Sequence, residues 1–302
     1  MEIVNVDGES TVRLHFTHRT QYRYSGPVTF GRHRLVMRPR ESHFERVEHM
    51  EISTTPDSRL HWYQDIYGNI IANADFTEDS DVLSIHSDFA ICKYLLPAPT
   101  VDEHVLRGED YPVYYPGIEE GASHFYRRSV YPPEVEGIRA WVRSLDILPP
   151  AGTRGPIFLT LASRIHEQID YLRREETGVR SPMETLEEGS GSCRDSAVLM
   201  MEAGRSLGYA TRFVSGYLES TNSKVGKGST HAWTEVYLPD RGWVGFDPSI
   251  GRQVGLGHVA VAVSHHPRGV MPISGRFDGQ GNNAVKMAVA IESRRLPGEG
   301  EE

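Results

Sequence analysis

The sequence predicts an α+β protein with a β-rich N-terminal region followed by a core of helices and strands. Short segments between residues 12 and 93 alternate apolar and polar side chains at about ten-residue spacing, which is typical of an antiparallel β-sandwich. Between residues 132 and 208, apolar side chains recur every three or four positions, as in helices packed on a core. The alternating pattern returns after residue 211 and predicts further strands.

Seven strands are predicted for the N-terminal region. They cover residues 12–16, 20–24, 33–37, 47–52, 60–64, 70–76 and 82–89. Turn-forming residues separate several of them, at Ser25-Gly26-Pro27, Pro56-Asp57-Ser58 and Tyr67-Gly68-Asn69. The next segment is rich in proline and acidic residues. We therefore expect a domain over residues 11–95 and a linker over residues 96–121.

Three helices and three strands are predicted for the core, residues 122–252. The helices begin at Pro132-Pro133, at about Pro156 and at Cys193; the second ends near Arg173 and the third at Gly208. The strands are Thr211–Leu218, His231–Leu238 and Gly242–Asp247.

Beyond the core, residues 253–294 predict a C-terminal β extension. Its two strands, residues 259–263 and 284–291, alternate apolar side chains and need a partner sheet. We expect both to form antiparallel sheet outside the core. Residues 295–302 are acidic and predict a disordered tail.

Composition argues against several kinds of partner. The chain has 302 residues and a net charge of −9, which argues against nucleic acid or an anionic membrane as the main partner. No run approaches the ~18 apolar residues of a membrane span, and residues 1–10 lack the apolar segment of a leader peptide.

There are two cysteines, so we expect a reducing, cytoplasmic location without a disulfide framework. Cys92 lies in a strand pattern and is expected to be a buried structural residue.

The segment Gly191-Ser192-Cys193-Arg194-Asp195 carries the clearest chemical signal. Ser192 and Asp195 fit a capping box, in which the serine caps a helix and the acid reaches back to the serine amide. Cys193 then lies in the first helical turn, where the partial positive charge of the helix favours a thiolate. Flanking glycines leave the approach to the sulfur free of side chains. We expect Asp195 to be structural and Cys193 to be the reactive thiol.

A histidine and an aspartate downstream complete a set of residues typical of thiol acyl transfer. His231 begins one predicted strand and Asp247 ends the next. Pairing of Leu238 with Gly242 would place the two side chains diagonally next to each other on one face of the hairpin. A two-residue loop would place them on opposite faces, so the hypothesis requires an odd-length loop or a bulge. His231 would then take the thiol proton, and Asp247 would orient the imidazole.

Other candidate residues would bind the substrate or the developing oxyanion. Tyr171 and Gln168 lie at the end of the second predicted helix, and the N-terminus of the cysteine helix offers backbone amides. Trp233 is a further candidate, although packing is its simpler interpretation. His265-His266 has no third ligand at suitable spacing, so we expect no metal. Phosphate-binding and dinucleotide motifs do not occur in the sequence, and we expect no cofactor.

These motifs resemble the transglutaminase-like superfamily of papain-like cysteine enzymes, in its bacterial form with a transglutaminase-like N-terminal β region. The similar blocks in the core are residues 165–171, 189–195, 205–208, 214–217, 231–236 and 242–248; those in the N-terminal region are residues 20–24, 33–40 and 65–69. Together they extend over most of residues 12–291.

The resemblance implies a papain-like α+β core in which the helix bearing Cys193 packs on an antiparallel sheet. It implies Cys193 as nucleophile, His231 as base and Asp247 as the partner of the base. A peptide or protein amide would be the substrate. Water as acceptor would make the protein a cysteine protease or amidase, and an amine acceptor would make it a transglutaminase; hydrolysis is favoured. The alternative is a non-catalytic peptide-binding or scaffold protein that reuses the fold.

Two positions depart from the family's pattern. Residues 263–267 stand where family members usually carry a Gly-Arg-Asp-Tyr-type segment, and Ser196 stands where a histidine or phenylalanine often follows the cysteine motif. The first departure concerns the substrate-facing C-terminal loop. Neither concerns Cys193, His231 or Asp247.

Overall fold

The computed structural model describes residues 11–94, 108–174, 178–219, 229–239 and 241–297. In chain order the strands are β1 (Thr11–Phe30), β2 (His33–Leu35), β3 (Glu45–Thr55), β4 (Ser58–Gln64), β5 (Ile70–Phe76), β6 (Ser80–Tyr94), β7 (Glu109–Tyr111), β8 (Thr153–Gly155), β9 (Asp170–Tyr171), β10 (Ser190–Gly191), β11 (Thr211–Leu218), β12 (His231–Leu238), β13 (Gly242–Asp247), β14 (Arg252–Gln253), β15 (His258–Ser264), β16 (Ile273–Ser274), β17 (Phe277–Asp278) and β18 (Ala284–Leu296). The α-helices are α1 (Ile118–Arg127), α2 (Val135–Ser144), α3 (Ile157–Gln168), α4 (Pro182–Glu188) and α5 (Cys193–Ser206), with 3₁₀ turns at Pro132–Glu134 and Pro267–Val270. The predictions for residues 1–10, 95–107 and 298–302 lie outside the described residues.

Two antiparallel sheets form the N-terminal region, as predicted. One has the order β17-β1-β6-β3, with β18 also paired to β1, and the other has the order β16-β2-β5-β4. Their facing side chains meet in an apolar cluster that includes Leu35, Met37, Ala72, Leu83 and Ile85. Burial of this cluster holds the two sheets together as a sandwich.

The two strands predicted before residue 25 are one continuous strand, β1. His18, between the two predicted strands, stays buried because both ring nitrogens have hydrogen-bond partners. Its Nε2 lies 3.0 Å from Thr20 Oγ1, and its Nδ1 lies 2.8 Å from the Tyr217 hydroxyl. Ser25-Gly26-Pro27 falls within a shift in the register of β1 against β6 rather than in a turn. Within residues 11–94 there are therefore six strands instead of seven.

The core is a helix packed on an antiparallel sheet, as predicted. The sheet has the order β14-β13-β12-β11-β15. Leu199 and Met200 of α5 share an apolar cluster with Val236 of β12. In addition, Thr234 Oγ1 donates a 2.7 Å hydrogen bond to the Ala197 carbonyl of α5. These contacts fix the helix that begins at the cysteine against the strand that begins at the histidine.

The sequence predicted that helix α3 ends near Arg173, but the helix ends at Gln168. It ends early because β9 pairs in parallel with β10, with Tyr171 opposite Gly191. The Leu172 N–H also donates a 2.8 Å hydrogen bond to the Gly191 carbonyl. This ladder connects the chain after α3 to the residues just before Cys193. None of the described helices is long and apolar enough to cross a membrane.

The two strands predicted outside the core belong to different sheets. Strand β18 pairs with β1 from Arg13↔Leu296 to Tyr24↔Ala284, so it forms antiparallel sheet outside the core as expected. Its partner is the N-terminal region, and it extends into the predicted tail. Strand β15 pairs with β11 inside the core sheet, so the prediction for residues 259–263 was wrong. The reason is that β15 is buried along almost its whole length, between the core and the N-terminal region. The predicted linker is also partly regular, because it contains β7 and the start of α1.

The N-terminal region and the core share one apolar cluster. Phe16 and Phe89 have ring centroids 5.3 Å apart, and each ring lies 5.3 Å from that of Tyr217 on β11. The Asn69 side chain binds both the N–H and the carbonyl of Val263, at 2.8 Å each, and so pairs with the backbone of β15. The N-terminal region therefore covers β15, the strand beside the site described next.

Candidate active site

Cys193 is the first residue of α5, and Ser192 is its N-cap. Asp195 reaches back to the N-cap as predicted, because the Ser192 N–H donates a 2.8 Å hydrogen bond to Asp195 Oδ2. The Ser192 hydroxyl donates to the same oxygen at 2.8 Å, and the Asp195 N–H donates to the Ser192 carbonyl at 3.0 Å. The N–H groups at the start of an α-helix carry partial positive charge, and here they lie beside the sulfur. Cys193 is only 5 % exposed, so this field acts on it with little screening by water.

Asp195 is a buried carboxylate that fixes the start of α5. Arg174 pairs with it at 2.8 Å, and the Arg180 N–H donates a further 2.8 Å hydrogen bond. Burial would raise the pKa of Asp195, but the hydrogen bonds from the Arg180 and Ser192 amides and from Arg174 lower it overall. Asp195 therefore stays ionised and serves as a structural anchor, in agreement with its predicted role.

The hairpin of β12 and β13 has the register that the site hypothesis required. Leu238 pairs with Gly242 across a three-residue loop. The register continues to Thr234 opposite Phe246, which places Asp247 diagonally next to His231 on the same face. His231 Nε2 lies 2.6 Å from Asp247 Oδ2, and both residues are buried.

His231 interacts with both the Asp247 carboxylate and the Cys193 thiol. Burial would lower the pKa of His231, but the charge of Asp247, together with interactions with Cys193, raises it to about 10. Nε2 is bound to Asp247, whereas the buried Nδ1 has no hydrogen-bond partner of ordinary geometry among the described residues. Nδ1 is therefore the nitrogen available to exchange a proton with the sulfur.

Asp247 is held by four donors. Oδ1 accepts hydrogen bonds from the Ser249 N–H at 2.9 Å and from the Ser249 hydroxyl at 2.6 Å. Oδ2 lies 2.6 Å from His231 Nε2 and 3.0 Å from His258 Nε2. Burial would raise the pKa of Asp247, but the two histidines lower it far below its usual value. The carboxylate is thus ionised and fixed in orientation.

Sequence reasoning missed two of these partners, Ser249 and His258. A serine two positions after an aspartate fits the local turn in which the aspartate side chain binds the backbone N–H, so Ser249 could have been found. The signal for His258 is weaker. It is a histidine at the start of an apolar strand, and its contact with Asp247 depends on where β15 joins the sheet.

The other candidate residues have different surroundings. Tyr171 lies opposite Gly191 in the β9–β10 ladder and packs against the apolar cluster that contains Cys193. Gln168 is at the end of α3, where its side-chain oxygen accepts a 3.1 Å hydrogen bond from Trp141 Nε1. Trp233 is buried and packs beside His231, with ring centroids 6.1 Å apart, so it forms a wall of the site. Cys92 is buried in β6, as expected.

The histidines near the site, among the described residues, already have hydrogen-bond partners and are not free to bind a metal ion. Ligand atoms of His231, Asp247 and His258 lie within 4.8 Å of one another, a spacing that could hold a metal ion. The nearest atoms are already hydrogen-bonded to each other, since both Nε2 atoms bind the same carboxylate oxygen. Of the pair singled out in the sequence, His265 Nδ1 lies 3.1 Å from the Tyr67 hydroxyl, and His266 Nδ1 accepts from the Arg268 N–H. We therefore interpret His231, Asp247 and His258 as a buried, hydrogen-bonded group of side chains.

Comparison with known families agrees with this geometry. Residues 14–91 match the bacterial transglutaminase-like N-terminal region, and residues 153–248 match the transglutaminase-like superfamily. The first segment forms most of the N-terminal sheets, and the second contains α5, β12 and β13. Over these two segments the chain is therefore similar to bacterial transglutaminase-like proteins.

Relatives share nearly the whole length of the chain. The uncharacterized protein Rv2569c of Mycobacterium tuberculosis is 29% identical over 288 residues, which is 91% of this chain and 90% of that protein. The uncharacterized protein ML0607 of Mycobacterium leprae is 24% identical over 291 residues, 94% of this chain and 99% of that protein. The crystal structure of a "putative cysteine protease" from Cytophaga hutchinsonii superposes with a TM-score of 0.73 at 17% identity, over 96% of this chain and 92% of that one. This superposition shows that the two proteins have the same fold in both the N-terminal region and the core.

Proposed function

We propose that this protein is a thiol-dependent acyl-transfer enzyme that hydrolyses peptide or protein amide bonds. The observations that carry the proposal are the 2.6 Å contact between His231 Nε2 and Asp247 Oδ2 and the position of Cys193 as the first residue of α5. A cysteine at a helix N-terminus and an oriented histidine are the two parts that an activated thiol requires. Cys193 would be the nucleophile, His231 the general base and acid, and Asp247 the orienting group.

The first half-reaction forms a thioester. The Cys193 thiol gives its proton to His231 Nδ1, and the sulfur attacks the carbonyl carbon of the substrate. The resulting oxyanion accepts hydrogen bonds from backbone N–H groups of the first turn of α5. The C–N bond then breaks as His231 returns the proton to the leaving amine.

The second half-reaction releases the acyl group. His231 takes a proton from water, and the oxygen of that water attacks the thioester carbonyl. The C–S bond breaks, a carboxylic acid leaves, and His231 returns a proton to the sulfur. Asp247 remains ionised throughout, because its four hydrogen bonds stabilise the carboxylate and not the acid.

Burial of the nucleophile supports hydrolysis over cross-linking. Cys193 is 5 % exposed, so little of the residue is open to solvent. Hydrolysis needs only a water molecule to reach the thioester, whereas cross-linking needs the side chain of a second protein to reach the same atom. A site that restricts access to the acyl-enzyme therefore favours water as the acceptor.

The experiment is to incubate the protein with a peptide library, with and without a biotinylated primary amine, and to identify products by mass spectrometry. The proposal predicts new carboxylic acids or new chain termini that form equally without the amine. Cys193→Ala should give no product, and Cys92→Ala should be fully active as the matched control. Amine adducts would instead indicate transamidation. Binding of peptides without any Cys193-dependent product would indicate the scaffold alternative.

A further inference from the structure

The proposed acyl transfer leaves His258 without a role, although it contacts the site directly. His258 Nε2 lies 3.0 Å from Asp247 Oδ2, and its Nδ1 accepts a 3.2 Å hydrogen bond from the Gly255 N–H. A ring that accepts at Nδ1 carries its proton on Nε2 when it is neutral, so Nε2–H donates to Asp247. His258 is buried, and this hydrogen bond is therefore shielded from water.

The backbone and the ring of His258 are both fixed by neighbours. The Lys93 ammonium group, at the end of β6, donates a hydrogen bond to the His258 carbonyl and pairs with Glu45 at 2.6 Å. On the core side, the ring packs edge-on against Trp233, with centroids 5.3 Å apart and planes at 80°. The N-terminal region and the core thus hold His258 from two sides.

We propose that His258 is a positioning residue for the reaction: it fixes the Asp247 carboxylate so that Oδ2 faces His231, and through Lys93 it connects that carboxylate to the N-terminal region. A carboxylate can rotate about its bond to Cβ. Ser249 restrains Oδ1 and His258 restrains Oδ2, which leaves one direction in which Oδ2 can accept from His231. This inference rests on the proposed function, because it matters only if His231 acts as the base.

The charges around His258 agree with a neutral donor. Burial lowers the pKa of His258, and the charges of His231 and Lys93 lower it further, against the raising effect of Asp247. Glu45 faces Lys93 and offsets its charge. The ring that becomes an imidazolium is therefore His231, and His258 contributes one fixed N–H group.

The test measures the rate at which iodoacetamide alkylates Cys193 in the folded protein as a function of pH, and it needs no natural substrate. His258→Leu removes the donor, and His258→Gln keeps an amide N–H at about the same distance. His18→Leu is the matched control. His18 is also a buried histidine with two hydrogen-bond partners, but they are Thr20 and Tyr217 and not Asp247.

We expect His258→Leu to move the pH of half-maximal alkylation upward by about one unit, which is about tenfold in rate on the acidic side. His258→Gln should return the pH profile of alkylation toward that of the wild-type protein. His18→Leu should lower the melting temperature without moving the profile. A folded His258→Leu protein with the original profile would overturn the inference, and so would an equal shift in His18→Leu.

Two further outcomes separate this inference from the proposed function. If Cys193 of the wild-type protein is not alkylated faster than Cys92, the proposed function fails. If His258→Leu does not fold, His258→Asn is compared with His258→Gln. The asparagine amide is too short to reach Asp247, so equal profiles for these two variants would overturn the role of His258, and a shift in His258→Asn alone would support it.

Discussion

His231 Nε2 and Asp247 Oδ2 lie 2.6 Å apart although the two residues are 16 positions apart in the sequence. The three-residue loop of the hairpin produces this contact, because it sets Leu238 opposite Gly242. Changing the register by one residue would turn Asp247 to the opposite face of the sheet. Gly242 has a φ of 71°, a conformation that other residues rarely adopt, so the loop favours glycine there.

Substitutions at the three site residues should have unequal effects on turnover. Cys193→Ala and His231→Ala should each abolish it, because these groups make and break bonds. Asp247→Asn should lower kcat by about 10²–10⁴-fold and leave measurable activity, because Asp247 only orients and stabilises His231. Steady-state kinetics on a substrate found in the library experiment would check this, with circular dichroism as the control for folding. Processing of that substrate by either alanine variant would refute the assignment.

Stability should fall on the alkaline side because of His231. Burial would lower its pKa, but Asp247 and Cys193 raise it from 6.5 to about 10. A raised pKa in the folded state means that protonated His231 contributes stability that is fully present below pH 6.5 and is lost as the pH rises through about 10. The difference in unfolding free energy between the unmodified protein and His231→Gln should therefore shrink from pH 6 to pH 10 in urea titrations. A constant or growing difference would argue against the raised pKa.

The buried Arg174–Asp195 pair should matter far more than an exposed one. Asp195→Ala removes the acceptor of two backbone amides and one partner of the Arg174 guanidinium, and should cost about 3–5 kcal/mol of unfolding free energy. Glu167→Ala is the matched control, because it removes an exposed pair with Arg164 and should cost at most about 1 kcal/mol. Denaturant unfolding of both variants measures the difference. Equal losses would contradict the anchoring role of Asp195.

The parts of the site that could be predicted from the sequence are those set by local signals. The spacing of Ser192 and Asp195 by itself indicates the start of a helix. The sequence therefore predicted that Cys193 lies in the first helical turn, where the structure has it. The hairpin loop has few allowed lengths once the two side chains must share a face, so the pairing of Leu238 with Gly242 could be stated in advance.

The parts that could not be predicted depend on contacts between distant elements. Apolar alternation shows that residues 259–263 form a strand but not which sheet they join, because both sheets offer an edge to pair with. The role of His258 depends on that choice. The burial of His18 within β1 depends in part on Tyr217, 199 positions away, whose hydroxyl binds the imidazole.

Competitive alkylation of the two cysteines measures whether Cys193 is an activated nucleophile. Cys92 is an unusually good internal reference, because it is 6 % exposed and Cys193 is 5 % exposed, so access differs little. With limiting iodoacetamide at pH 6 and peptide mapping by mass spectrometry, we expect Cys193 to react on the order of tenfold faster or more than Cys92 in the folded protein. His231→Ala should reduce the rate at Cys193 to that at Cys92. Equal rates at the two cysteines in the unmodified protein would contradict the proposal that His231 and the helix N-terminus activate Cys193.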